Sequence, residues 1–202
     1  KKVSKSFRNK LNKEKLKTTL QFLSLNTSNI HEENKLLAAH AIEDLISKEK
    51  VLNGLKDYSG VKRRFETIFN NKNFKLIDDF AHHPTEIHCT LESFSQHYPE
   101  HRLIVVFEPR SNSMQMGSHV GALKAALASA DKVFAYDTGQ LDWSLNQVLT
   151  GLDCMIQNNI NDLVLQLLAY LEPGDNVLIL SNGGFEGLCL KLITALQAQT
   201  NQ

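Results

Sequence analysis

The feature that most limits the fold is one phrase repeated along the chain after residue 60. A short β-rich run is followed by a polar loop and then by an amphipathic stretch. The runs are Phe74–Ile77 (FKLI), Leu103–Phe107 (LIVVF), Lys132–Tyr136 (KVFAY) and Asn176–Leu180 (NVLIL), with a weaker one at Asp153–Ile156. The helical stretches cover about 84–97, 117–129, 159–171 and 185–199. LIVVF and VLIL are apolar without interruption, the pattern of strands covered on both faces of a parallel sheet. Strand and helix in alternation demand right-handed crossovers. The expected fold is therefore α/β: a Rossmann-like, doubly wound, mostly parallel sheet over residues 61–202. Ahead of the first run, the alternation in GVKRRFETIF suits one more strand.

Residues 1–60 read differently. Eight Lys or Arg and one Glu fall within residues 1–17, a solvated basic arm or a contact for nucleic acid. Leu36, Leu37, Ala41 and Leu45 share one face of a helix expected over 32–46, and a short helix is expected over 50–57. This part is too short and too polar to close its own core. It reads as a basic arm plus the helical tail of an incomplete preceding domain. The first residue is Lys1 with no secretory pattern after it, which reads as the cut end of a longer chain.

Charge excludes some functions. Lys+Arg and Asp+Glu are 22 each in 202 residues, so no global field draws the chain to nucleic acid or to an anionic membrane. No apolar run reaches the roughly 18 residues of a membrane span. Cys89, Cys154 and Cys189 are far apart and odd in number, so neither a disulfide framework nor a zinc knuckle is expected, and a cytoplasmic location is the default.

In a doubly wound sheet, ligands bind beyond the carboxyl ends of the strands. The loops there read DDFAHHPTE, EPRSNSMQMG, DTGQLDW and SNGGFEG. In the first, Pro84 suits the opening position of a helix, which puts His83 near the cap and Glu86 in the first turn. Three readings stay open for it: a metal site from His82, His83 and Glu86, a purely structural loop end, or contact with a nucleotide. A strand-end carboxylate can accept from ribose hydroxyls, and a cap imidazole can face a phosphate. In GVKRRFE, three adjacent cations are either a solvated edge or a source of one Arg that holds a phosphate through its planar fork. Arg110, Ser111 and Asn112 could grip a carboxylate. The glycines of SNGGFEG allow close backbone approach. The chain contains neither G-x-G-x-x-G nor G-x-x-x-x-G-K-[ST], and no G-x-S-x-G. A generic dinucleotide enzyme is thus unsupported, and no nucleophile arrangement stands out.

GVKRRFE, DDFAHHPTE, VVFEPRSNSMQMG and GDNVLILSNGGFEG, in that order and at these separations, resemble the C-terminal domain of the Mur ligases. DDFAHHPTE is similar to the muramate–alanine branch, whereas FEPRSNSMQMG and SNGGF resemble the murein peptide ligase branch. The resemblance implies an ATP-dependent ligase that joins the tripeptide L-Ala-γ-D-Glu-meso-diaminopimelate to UDP-N-acetylmuramate in cell-wall recycling. It implies ATP and Mg²⁺, held mainly by a central domain that the chain lacks, so the chain alone is expected to be inactive. By carry-over, Arg64 reaches ATP phosphate, Asp79 the ribose, and Asn34 in NKLLAA the adenine. His83 joins the nucleotide side, and Arg110, Ser111 and Asn112 the peptide side. The stretch before NKLLAA departs from the family's G-x-H-N-x-x-N, because Ile30 takes the His place and His31 the Asn place. The competing expectation is a catalytically inactive Rossmann-like binding module that stands alone.

Overall fold

The computed structural model describes residue 42 and residues 45–56 and 61–200. The chain separates into two units, Lys1–Ser59 and Gly60–Gln202. In the first, helix α1 spans Lys48–Lys56 and buries Val51. The basic arm 1–17, most of the helix expected over 32–46, and Asn34 lie outside the described residues.

The second unit is a six-stranded sheet with helices on both faces. In chain order the elements are β1 (Glu66–Asn70), β2 (Lys75–Asp79), α2 (Pro84–His97), β3 (Leu103–Phe107), α3 (Asn112–Gln115), α4 (Val120–Ala126), β4 (Lys132–Tyr136), α5 (Leu145–Val148), β5 (Cys154–Gln157), α6 (Ile160–Tyr170), β6 (Asn176–Leu180), a 3₁₀ turn (Phe185–Gly187) and α7 (Leu188–Thr200). The spatial order is β1-β2-β6-β3-β4-β5. All pairs are parallel except β1 with β2. The expected α/β sheet is what the chain forms.

The two uninterrupted apolar runs, β3 and β6, lie side by side in the middle and are buried at every residue. Side chains alternate across a strand, so each run feeds two cores. Val105, Phe107, Leu178 and Leu180 face Ile87, Leu91 and Phe94 of α2 and Leu123 of α4. Ile104, Val106, Val177 and Ile179 face Leu163 and Leu167 of α6 and Leu188, Leu192 and Leu196 of α7. Each buried side chain of this size contributes about 1.5–3 kcal/mol, which makes the central strands the rigid base of the loops at their carboxyl ends.

Three expectations need correction. Residues 61–65 are not strand: Arg63 and Phe65 hold φ of 58° and 52°, which an extended strand does not permit, so β1 begins only at Glu66. The helix expected over 117–129 is shorter, Val120–Ala126, because a turn at Gly117 (φ 74°) delays its start, and a separate short helix, α3, capped by Ser111, precedes that turn. The last helix starts at Leu188, since Phe185 and Glu186 are left-handed at φ 45° and 46°. The short α5 was not anticipated.

Candidate functional site

The loops after β2, β3, β4 and β6 gather at one edge of the sheet, and the turn before β1 joins them because β1 runs opposite to β2, with Glu66 paired to Asp78. The β2–α2 loop ends as its sequence requires. Pro84 opens α2, and His83 caps it by accepting the Thr85 N–H on Nδ1 at 3.2 Å. That acceptor role places the proton of a neutral His83 ring on Nε2. The ring also meets His119 edge-on, with centroids 4.4 Å apart. His82 is engaged differently: its Nδ1 is 3.0 Å from the Phe80 carbonyl and 3.6 Å from Glu86. The two adjacent imidazoles thus serve separate partners. Among the described residues no three His, Cys, Asp or Glu side chains are grouped as metal ligands.

Asp79 is 5% exposed, and its own chain supplies its donors. Oδ2 accepts the Phe65 N–H at 2.7 Å; Oδ1 accepts the Ala81 N–H at 2.8 Å and the Thr90 hydroxyl at 3.4 Å. Burial pushes its carboxyl above the ordinary range against these hydrogen bonds and the nearby Arg64. The side chain read as a ribose acceptor is therefore occupied in holding the arginine turn. Asp78 beside it is buried too. Arg63 donates Nε to Asp78 Oδ2 at 3.0 Å and Nη2 to the Ser181 carbonyl at 2.6 Å. Burial again raises the Asp78 carboxyl, with Arg63 opposing. Arg64 is left exposed, its guanidinium 5.4 Å from the Phe80 ring centroid. Of the three adjacent cations, Arg63 is a clasp, while Lys62 and Arg64 are exposed, Arg64 with its guanidinium over Phe80.

The β3 and β6 loops meet over Ser181, which is fully buried. Its hydroxyl donates to the buried Glu108 carboxylate and accepts the Gly183 N–H at 3.0 Å. Arg110 is exposed and lies directly on Gly183, where any Cβ would overlap the arginine Cδ and guanidinium. Ser111 caps α3 by accepting the Met114 N–H at 3.4 Å, and Asn112, the first residue of α3, is exposed. The DTGQLDW loop packs on this one, with Trp143 Nε1 donating to the Met114 carbonyl at 2.6 Å. At the end of β4, Tyr136 donates to Glu186 at 2.6 Å. Burial, and then Glu186, push that phenol up to about 12.

The structure sets Arg64 beside Phe80 and Asp79 at the end of β2, places His83 further along the same loop against His119, and carries Arg110, Ser111 and Asn112 on and after the β3 loop, with the β6 loop between. It adds Arg63, Ser181, Tyr136, Glu186 and His119, to which the sequence reading gave no role. For Ser181 and Glu186 the signal was present, because both lie inside a motif quoted for its glycines. For His119 there was none, since its contact with His83 joins two distant loops.

The profile of the Mur ligase glutamate ligase domain matches residues 63–183. A UDP-N-acetylmuramate–L-alanyl-γ-D-glutamyl-meso-2,6-diaminoheptandioate ligase of Haemophilus influenzae is 33% identical over 173 residues, covering 84% of this chain and 38% of that protein. The crystal structure of a murein peptide ligase from Psychrobacter arcticus matches with a TM-score of 0.67 at 33% identity, over 85% of this chain and 38% of that one. A crystallised domain attributed to a ligase of the same tripeptide from Haemophilus ducreyi matches at 33% identity and a TM-score of 0.56, over 66% of this chain and 99% of that one. The chain thus spans well under half the length of the whole-protein relatives it matches.

Proposed function

This chain belongs to the Mur ligase family as its C-terminal, glutamate ligase domain, and from that membership we propose its work within a longer enzyme. It presents the peptide and closes over the nucleotide in an ATP-dependent, cytoplasmic ligase that joins L-Ala-γ-D-Glu-meso-diaminopimelate to UDP-N-acetylmuramate. Among the described residues no helix is long and apolar enough to cross a membrane. The observation that carries the reading is the pair of exposed guanidinium groups, Arg64 on Phe80 and Arg110 on Gly183, at one sheet edge.

The chemistry assigns them separate tasks. The muramoyl carboxylate attacks the terminal phosphorus of ATP, ADP leaves, and an acyl phosphate forms. The peptide amine then attacks the acyl carbon, phosphate leaves, and the amine proton is lost as the amide closes. Charge accumulates on the transferred phosphoryl oxygens, where a pre-placed guanidinium stabilises the transition state without reorganising. Arg64 has that role here, aimed by Asp79 through the Phe65 N–H. His83, whose Nδ1 accepts from Thr85, offers Nε2–H as a second donor on the nucleotide side. Arg110, Ser111 and Asn112 hold a carboxylate of the peptide, since a planar fork takes both oxygens at once. Mg²⁺ is assigned to the rest of the enzyme, and no task of this chain runs through it.

The test uses the full-length protein with ATP, Mg²⁺ and UDP-N-acetylmuramate, offered either the tripeptide or free L-alanine, with the product weighed by mass spectrometry. UDP-N-acetylmuramoyl-tripeptide is the expected product. Ligation of L-alanine in preference, or binding of the tripeptide with no ligation, overturns the proposal.

A further inference from the structure

All four non-glycine residues with left-handed φ among those described, Arg63, Phe65, Phe185 and Glu186, lie at the carboxyl edge. Two are in the turn before β1 and two are in the loop after β6. Bulky side chains hold that conformation only when their surroundings over-determine it. The turn before β1 and the start of the loop that leads to Phe185 and Glu186 are joined by one side chain. The guanidinium of Arg63 bridges the Asp78 carboxylate and the Ser181 carbonyl through two adjacent N–H edges. Ser181 in turn donates to Glu108, accepts from Gly183, and donates its own N–H to the Asp79 carbonyl at 3.3 Å. Asp79 closes the ring by holding the Phe65 N–H.

We infer that Arg63 is a positioning residue that makes the turn carrying Arg64 and the loops seating Arg110 one rigid piece, so that the nucleotide-facing and peptide-facing arginines keep a fixed relation. The assignment of the two ligands rests on the function proposed above; the mechanical link does not. The second oxygen of Asp78 is buried without a hydrogen-bond partner, so Arg63 is the cation on which that carboxylate depends. A solvated basic edge would not need both ends of a fork. A lysine ammonium is a point donor and cannot span the carboxylate and the carbonyl together.

Hydrogen exchange on this 202-residue chain tests the link without any ligand. In Arg63→Lys, the Phe65 and Gly183 amides, whose acceptors sit on opposite sides of the clasp, are expected to exchange about tenfold faster or more, together. The β3 amides keep their protection, and Arg64→Ala changes neither loop. Ser181→Ala approaches from the other end, removing the hydroxyl but not the carbonyl, and is expected to quicken Phe65 as well as Gly183. Acceleration on one side only, in either variant, overturns the inference, as does Arg63→Lys with both amides at their original rates. Should Arg63→Lys lose protection throughout β3, the Ser181→Ala result decides. In the full-length ligase, Arg63→Lys is expected to lower kcat and to raise KM for the tripeptide. An absence of ligation by the unaltered protein defeats the proposed function and leaves the exchange result standing.

Discussion

The two ends of the same sheet use their cations in opposite ways. At the amino end, Arg102 pairs with Glu172 at 2.7 Å and Asp175 at 3.4 Å, and Lys132 pairs with Asp153 at 2.5 Å. Arg102 and Lys132 both lie over the Tyr170 ring, and Lys75 lies 4.1 Å from the Tyr98 centroid. At the carboxyl end, Arg64 and Arg110 have no carboxylate within ion-pair distance among the described residues, while Arg63 is held twice over. The amino end also lacks left-handed non-glycine residues among those described, whereas the carboxyl end has four. Matched charge and relaxed backbone mark the end that stabilises. Unmatched arginines over a strained, buried acid network mark the end proposed to bind.

The sharpest way to break this comparison is to exchange one arginine from each end. Arg64→Ala in the full-length enzyme should lower turnover about 10²–10³-fold, as removal of a charge-stabilising donor does, with its melting temperature almost unchanged. Arg102→Ala should do the reverse, lowering the melting temperature and leaving turnover per folded molecule intact. If the two variants lose activity alike, the division between the ends is wrong. Next in size is Arg110→Ala. It should raise KM for the tripeptide by the equivalent of about 2 kcal/mol while leaving KM for ATP in place. Steady-state kinetics with each substrate varied in turn will show whether the effect falls on ATP instead.

Gly183→Ala sharpens the same point within one end. Its Cβ would overlap the outer part of the exposed Arg110 side chain, which has to leave its seat, so the variant should lose at most about 1 kcal/mol in denaturant unfolding. The loss should largely vanish in the Arg110→Ala background; a loss that persists there would place the obstruction elsewhere. The smallest effect is on pH dependence. Burial raises the carboxyls of Asp78 and Asp79, so the folded state holds their protons more tightly than the unfolded chain does. Their contribution to stability is present in full below the ordinary carboxylate range and is lost as pH rises through the raised folded values. Asp78→Asn should therefore flatten the decline in stability over that window, read as the slope of unfolding free energy against pH. An unchanged slope would show that Asp78 titrates as an ordinary acid.

Most of the sheet was legible because burial on both faces leaves few residue choices. LIVVF and NVLIL could be little other than central strands, and they became β3 and β6. The capped start of α2 was legible for a local reason, since Pro84 and His83 interact with their own neighbours. What escaped were contacts that join distant loops. The alternation of VKRRFETIF imitates a strand through residue 65, and nothing in the letters marks Arg63 and Phe65 as left-handed, because no glycine stands there. Asp79 was identified as a working acid, but the donors that occupy it come from residues 65, 81 and 90 and are visible only in three dimensions. The glycines of SNGGFEG were read as leaving room for close backbone approach. At Gly183 the room is filled by Arg110 of the same chain.

That contact also orders the mutational routes open to the domain. While an arginine sits on Gly183, a side chain at 183 must displace it; once 110 becomes small, position 183 acquires one without that cost, and a returning arginine has to find another seat. The change is easier to make in one direction than in the other. A lineage that let Arg110 go and then filled position 183 would have to undo two substitutions in reverse order to recover it. The two positions, more than 70 residues apart in sequence, are therefore coupled in what each can become.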